Sequence, residues 1–124
     1  MDFRKFSLEE VNALNKNTLM EALGIECIAL GNNTLTFKMP VDQRTHQPMG
    51  LLHGGASAAL IETVGSFGSF LMAEASRERP VGLSINAEHI RAVRNGYVIA
   101  TGTLIHPGSN THIWQVDIHE EATE

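Results

Sequence analysis

The chain has 124 residues, 43% hydrophobic and 19% charged, with 9 basic against 14 acidic side chains and a formal charge of −5. That is one domain's worth of ordinary globular sequence, which excludes a disordered or fibrous architecture. A net acidic chain without a basic run lacks the cations that displace phosphate counterions, so no nucleic-acid partner is expected.

Met1-Asp2-Phe3-Arg4-Lys5 has no apolar run behind it, so no secretory signal is expected there. No apolar stretch approaches the ~20 residues that span a bilayer, so no membrane partner is expected. The single cysteine, Cys27, cannot form an internal disulfide, and a cytoplasmic location follows as the simplest expectation. Cys27 lies within an apolar stretch and reads as a small buried hydrophobe rather than a nucleophile.

Ser7-Leu-Glu-Glu10 fits a capping box, and Leu8, Val11 and Leu14 follow at helical spacing. Thr18-Leu-Met-Glu21 repeats the capping pattern, with Gly24 as a natural stop. These two short helices read as a cover over a sheet face. The period then changes. Residues 26–30 read as a strand, Gly31-Asn32-Asn33 as a turn, and residues 34–39 as a second strand with Leu35, Phe37 and Met39 on its buried face.

A polar loop over residues 41–52 leads to His53-Gly54-Gly55, which opens a helix running to about Ser76. Apolar or small residues surround it on nearly all sides, which predicts a buried helix. Each interior glycine costs about 1 kcal/mol of helix stability, so packing must compensate. Three strand candidates follow. The first has Val81, Leu83, Ile85 and Ala87 on one face, and Arg94-Asn95-Gly96 is a strong hairpin turn. Residues 97–106 form the second. Pro107-Gly108-Ser109-Asn110 turns the chain, and residues 111–120 form the third, with Trp114, Val116 and Ile118 on one face. The plan is an α+β domain, a curled antiparallel sheet around one long central helix.

Glu62 sits in the middle of that helix. A carboxylate among Leu60, Ile61 and Val64 either faces solvent at a gap in the sheet, pairs with a hidden cation, or lines a pocket and does chemistry. At the helix start His53 is the expected N-cap, and Gly54-Gly55 leave amide groups bare to hold a developing oxyanion. Glu62 lies eight residues beyond Gly54, so the two are ~12 Å apart along one helix, too far to act on one carbonyl. Joint action therefore requires two subunits with antiparallel helices, which predicts a homodimer with shared active sites.

Met39-Pro40-Val41-Asp42, the run Gln47-Pro-Met-Gly-Leu-Leu-His-Gly-Gly55, Glu62-Thr-Val-Gly-Ser66, Val81-Gly82-Leu83, His89, His106 and Trp114-Gln-Val-Asp-Ile118 resemble the hotdog-fold thioesterases of the 4-hydroxybenzoyl-CoA and phenylacetyl-CoA-pathway group. The resemblance covers nearly the whole chain as a single domain over residues 1–124. It implies hydrolysis of acyl-CoA thioesters, with aromatic acyl groups of the hydroxybenzoyl or dihydroxynaphthoyl kind, as in menaquinone biosynthesis. It implies Glu62 as nucleophile or general base, Gly54 or Gly55 as the amide that polarises the carbonyl, His53 and Gln47 placing the thioester, and Ser66 positioning water or the acyl group. It further implies that Gly82, the stretch His89, Ile90, Arg91 and Ala92, and the turn His106, Pro107, Gly108, Ser109, Asn110 and Thr111 hold CoA. No cofactor is implied beyond the CoA of the substrate, and a homotetramer built as a dimer of dimers is implied.

The group carries one more strand after the point where this chain stops, so a bare sheet edge is expected here. The six histidines at 46, 53, 89, 106, 112 and 119 have no helical zinc spacing, and no metal is expected; His46, His112 and His119 read as surface or strand-end residues. Phe67, Phe70 and Met72 are expected to help form the acyl pocket. The alternatives are an acyl-CoA-binding protein without turnover, against which the retained acid argues, and a hotdog hydratase or dehydratase. The latter needs a histidine near the β carbon, whereas His53 adjoins the oxyanion glycines.

Overall fold

The computed structural model describes residues 1–73, 80–82, 84–85 and 92–121. A 3-10 turn at Phe3–Lys5 and two short helices, α1 (Leu8–Ala13) and α2 (Leu19–Leu23), precede β1 (Glu26–Leu30) and β2 (Thr34–Pro40). The long helix α3 (Gly54–Met72) follows, then β3 (Tyr97–Pro107) and β4 (His112–Glu120). The strands form one antiparallel sheet in the order β1-β2-β3-β4. The N-terminal hairpin, the helix and the last hairpin therefore stand where the sequence periods put them.

Local chemistry explains most boundaries. Ser7 caps α1 reciprocally with Glu10: its hydroxyl accepts from the Glu10 amide at 3.1 Å, and its own amide donates to Glu10 Oε1 at 2.7 Å. The second capping pattern does not form. Thr18 donates its hydroxyl back to the Asn15 carbonyl at 2.6 Å, while Glu21 accepts from the Asn17 amide at 3.3 Å. Thr18 thus spends its side chain on the preceding turn and stands at the N-cap without a side-chain cap bond, after Asn17, whose φ of 61° bends the chain. Gly24 ends α2 in the left-handed region (φ 75°), where a side chain is disfavoured. The α1 helix is pinned on β1 by Asn12, which donates to the Cys27 carbonyl at 2.9 Å and accepts from its amide at 2.8 Å.

The core joins α3 to the concave face of the sheet. Leu35, Phe37 and Met39 of β2 and Val98 and Ala100 of β3 meet Leu60, Val64, Phe67 and Leu71 of α3. The Phe37 and Phe67 rings lie 5.4 Å apart. Small residues at the contacts permit this approach. A Cβ on Gly102 of β3 would strike Val64, and one on Gly68 of α3 would strike the Trp114 indole. Trp114 in turn packs at a tilt on buried Phe3, ring centroids 5.8 Å apart, closing the N-terminal turn over the sheet.

Two expectations change. The helix is buried along one face only in this chain: Gly55, Glu62 and Phe70 are exposed, and Ala58, Ala59 and Ser66 half-buried. Uniform apolarity reported how little polar surface the helix carries, not how much of it one chain covers. The strand expected around Val81–Ala87 has no ladder among its described residues: Val81 and Ile85 are exposed and outside any strand, and Leu83 and Ala87 lie outside the described residues.

Candidate active site

The loop before α3 is fixed by short polar contacts. Asp42 accepts from the Arg44 amide at 3.0 Å and from its guanidinium at 2.7 Å, which lowers the Asp42 pKa to about 2. The buried Thr45 hydroxyl donates to the Pro40 carbonyl at 2.7 Å, and the Thr45 carbonyl accepts from the His53 amide at 2.8 Å. The Gln47 amide donates to the Leu51 carbonyl at 2.8 Å, and its side-chain Oε1 accepts from the Met49 amide at 2.5 Å. This loop delivers His53 to the start of α3 in an extended conformation, as an N-cap.

His53 caps with its ring. Nδ1 accepts from the Gly55 amide at 2.7 Å, so that amide is not bare as the sequence suggested. A Cβ on Gly55 would come within 2.8 Å of the ring, so glycine is what lets the imidazole lie there. The Gly54 amide has no hydrogen-bond partner among the described residues and is the free N–H at this positive helix end.

Glu62, two turns further on, points its carboxylate into a groove of about 1670 Å³ between α3 and β4. Its side chain has no hydrogen-bond partner among the described residues. Gly82 stands directly against it, for a Cβ there would clash with Glu62 Oε1. Ser66 lies one turn along the same side, and Ser109, Asn110 and Thr111 border the same groove. His106 and Gly108 touch each other at the end of the β3–β4 turn without lining it: a Cβ on Gly108 would sit 2.6 Å from His106 Nε2. Pro107 ends β3, and Ala92 is exposed. His89, Ile90 and Arg91 lie outside the described residues.

Two features went unread in the sequence. Phe67 turns into the core against Phe37, while Phe70 is 38% exposed on the open helix face, so neither lines the Glu62 groove. His112, read as a strand-end residue, is half-buried and lies 2.7 Å from Ser69 Oγ of α3. No linear motif links residues 69 and 112; only the pairing of β4 across the helix brings them together. Cys27 behaves as expected: it is buried, and desolvation pushes its thiol up to about 11.

The groove holding Glu62 and Gly82 is separate from the hollow that His53 and Gly55 border with Leu19, Leu23 and Arg44. One chain therefore presents an acid in one place and a helix-end donor in another. Among the described residues no three His, Cys, Asp or Glu side chains group as metal ligands, and no helix is long and apolar enough to cross a membrane.

Residues 49–124 match the family model of the Thioesterase superfamily, a segment that contains the helix start, Glu62 and the groove. The chain belongs to that superfamily. This thioesterase is 43% identical over 118 residues to the 1,4-dihydroxy-2-naphthoyl-CoA hydrolase of Escherichia coli, covering 95% of this chain and 86% of that protein. It is 47% identical over 118 residues to the proofreading thioesterase EntH of Cronobacter turicensis, covering 95% and 85%. A crystal structure of a variant of thioesterase PA1618 from Pseudomonas aeruginosa superposes with a TM-score of 0.90 at 45% identity, covering 94% of this chain and 84% of that one. The curled sheet around α3 is thus the hotdog fold, and the protein is a thioester hydrolase.

Proposed function

We propose that this thioesterase hydrolyses aromatic acyl-CoA thioesters, with Glu62 as the acting carboxylate. The observation that carries the reading is the Glu62 carboxylate, exposed to a groove and without a hydrogen-bond partner among the described residues, on the same open helix face as small Ala58, Ala59 and Ser66. An exposed acid without a hydrogen-bond partner among the described residues is available for chemistry. Relatives whose names specify dihydroxynaphthoyl-CoA hydrolysis and thioesterase proofreading support the acyl-CoA substrate and favour an aromatic acyl group.

In this reading the thioester carbonyl oxygen takes a hydrogen bond from the Gly54 amide, where the helix end stabilises the charge that develops on it. Glu62 either attacks the carbonyl carbon or takes a proton from an attacking water. The tetrahedral adduct collapses with cleavage of the C–S bond: in the general-base route Glu62 returns its proton to the departing sulfur and the free acid is left, and in the nucleophilic route the departing thiolate takes a proton from water while a further water hydrolyses the acyl–Glu62 anhydride to the free acid. His53 and Gln47 place the thioester, and Ser66 orients water or the acyl group. Gly82, the stretch 89–92 and the turn 106–111 hold CoA, with Ser109, Asn110 and Thr111 bordering the Glu62 groove as this requires.

The separation of Glu62 from the helix start supports a site completed by two subunits. Eight residues of helix put ~12 Å between their Cα atoms, and the two open onto different hollows. The reading is therefore of one domain over residues 1–124 acting in a cytoplasmic homodimer, paired further as a dimer of dimers. Release of CoA from benzoyl-, 4-hydroxybenzoyl-, dihydroxynaphthoyl- and medium-chain acyl-CoA, followed by free thiol, tests the substrate class. The aromatic thioesters are expected to give the higher kcat/KM; a preference for the straight-chain thioester overturns the aromatic assignment.

A further inference from the structure

Ser69 is a polar residue of α3 that the proposed hydrolysis leaves unused, and it is 8% exposed. It follows Glu62 by seven residues, so both lie on one side of the helix, roughly 10 Å apart along its axis. Its hydroxyl joins two side chains of β4. Trp114 Nε1 donates to Ser69 Oγ at 3.1 Å, and Ser69 Oγ lies 2.7 Å from His112 Nδ1.

The direction of the second bond follows from where the Ser69 hydroxyl hydrogen can go. An indole N–H only donates, so Ser69 oxygen is the acceptor there. The Ser69 hydroxyl hydrogen then has one acceptor among the described residues, His112 Nδ1. A neutral imidazole that accepts at Nδ1 carries its hydrogen at Nε2. His112 is half-buried, lines the groove shared with Glu62, Ser66 and Ser69, and has no partner for Nε2 among the described residues. The indole is itself held, since its ring lies against Gly65 and Gly68, where a Cβ would come within 3.5 Å of it or strike it. If the cluster served only to fasten β4 to the helix, the Trp114–Ser69 bond would suffice. The histidine adds an oriented N–H donor at the groove wall.

We propose that His112 is a specificity-determining residue of this thioesterase, donating its Nε2 hydrogen to an oxygen substituent on the ring of the acyl group, remote from the thioester carbonyl. Ser69 and Trp114 are positioning residues that fix its tautomer and orientation. The inference rests on the aromatic acyl-CoA reading and deepens it: ~10 Å of helix between Glu62 and Ser69 suits one substituted aromatic ring with a polar contact at each end. A ring hydroxyl has the lone pair this donor needs, and an unsubstituted ring leaves the N–H unpaired, which is how a polar site rejects the analogue that lacks the group.

The test compares kcat/KM for 4-hydroxybenzoyl-CoA and benzoyl-CoA in wild type, His112→Phe and Ser69→Ala. Wild type is expected to favour the hydroxylated thioester about tenfold, the effect of one hydrogen bond. His112→Phe is expected to bring that ratio near one, with a cooperative urea-unfolding transition by tryptophan fluorescence as proof of folding. Ser69→Ala, which frees the ring without deleting it, is expected to shift the ratio in the same direction, an effect that loss of stability alone does not produce. A wild-type ratio near one, or an unchanged ratio in His112→Phe, overturns the inference and leaves the hydrolase reading intact. Turnover of medium-chain acyl-CoA with neither aromatic thioester hydrolysed overturns the aromatic reading and this inference with it.

Discussion

Among the described residues nothing bonds the Glu62 carboxylate, and Gly82, a residue without a side chain, lies against it. Gly82 is placed so that a Cβ would clash with Glu62 Oε1, and the carboxylate would have to shift. The glycine is therefore a steric requirement of the acid's rotamer. Gly82→Ala is expected to lower kcat about tenfold or more while leaving the thermal midpoint near that of wild type, because both residues are exposed and the core is untouched. Full activity in Gly82→Ala would show that the acid works in a different rotamer. At this scale the sequence was informative about identity and uninformative about setting. An acid among apolar helix neighbours is conspicuous in the sequence. Its exposure is not, because the same pattern suits a helix covered by its own sheet and one covered by another subunit. His112 does stand at a strand end, as expected, but its contact with Ser69 was illegible for a related reason. Its partner is 43 residues away, and a histidine at a strand start carries no local mark of it.

The elements were more legible, and the physical reason is periodicity. Alternation in β2 and β4, the Ser7 capping box and the left-handed Gly24 are local signals, and each matches the structure. The second capping pattern failed because Thr18 had a competing local acceptor in the Asn15 carbonyl, a choice the four-residue pattern does not contain. The glycines of α3 have their explanation in packing. Gly68 gives room to the Trp114 ring, which lies against the helix and bonds Ser69. Gly68→Val is expected to destabilise the protein by about 2 kcal/mol, since overpacking at a fixed ring outweighs any gain in helix propensity. Urea unfolding followed by the fluorescence of the single tryptophan reads this directly. An unchanged midpoint would mean that the ring moves aside freely.

For the whole molecule the telling fact is that one chain separates what the chemistry must join. Glu62 lines one hollow and the helix-start residues His53 and Gly55 another, and one face of α3 is left uncovered. Two antiparallel copies of the helix would bring the acid of one to the start of the other. A mixing experiment tests this. Glu62→Gln and Gly55→Val are each expected to be nearly inactive alone, the latter because its side chain would push into the His53 ring. Heterodimers formed from both carry one site with neither substitution, so an equal mixture is expected to regain about a quarter of wild-type activity. No recovery on subunit exchange would place the whole site within one chain.

The central claim, that Glu62 performs the thioester hydrolysis, is tested most directly by comparing CoA release from 4-hydroxybenzoyl-CoA in wild type and Glu62→Gln. The two side chains are nearly isosteric, and Glu62 has no structural partner among the described residues, so folding and CoA binding are expected to be unchanged. The account predicts that kcat falls by about 10²–10⁴-fold in the variant. A Glu62→Gln enzyme that releases CoA at the wild-type rate would contradict it.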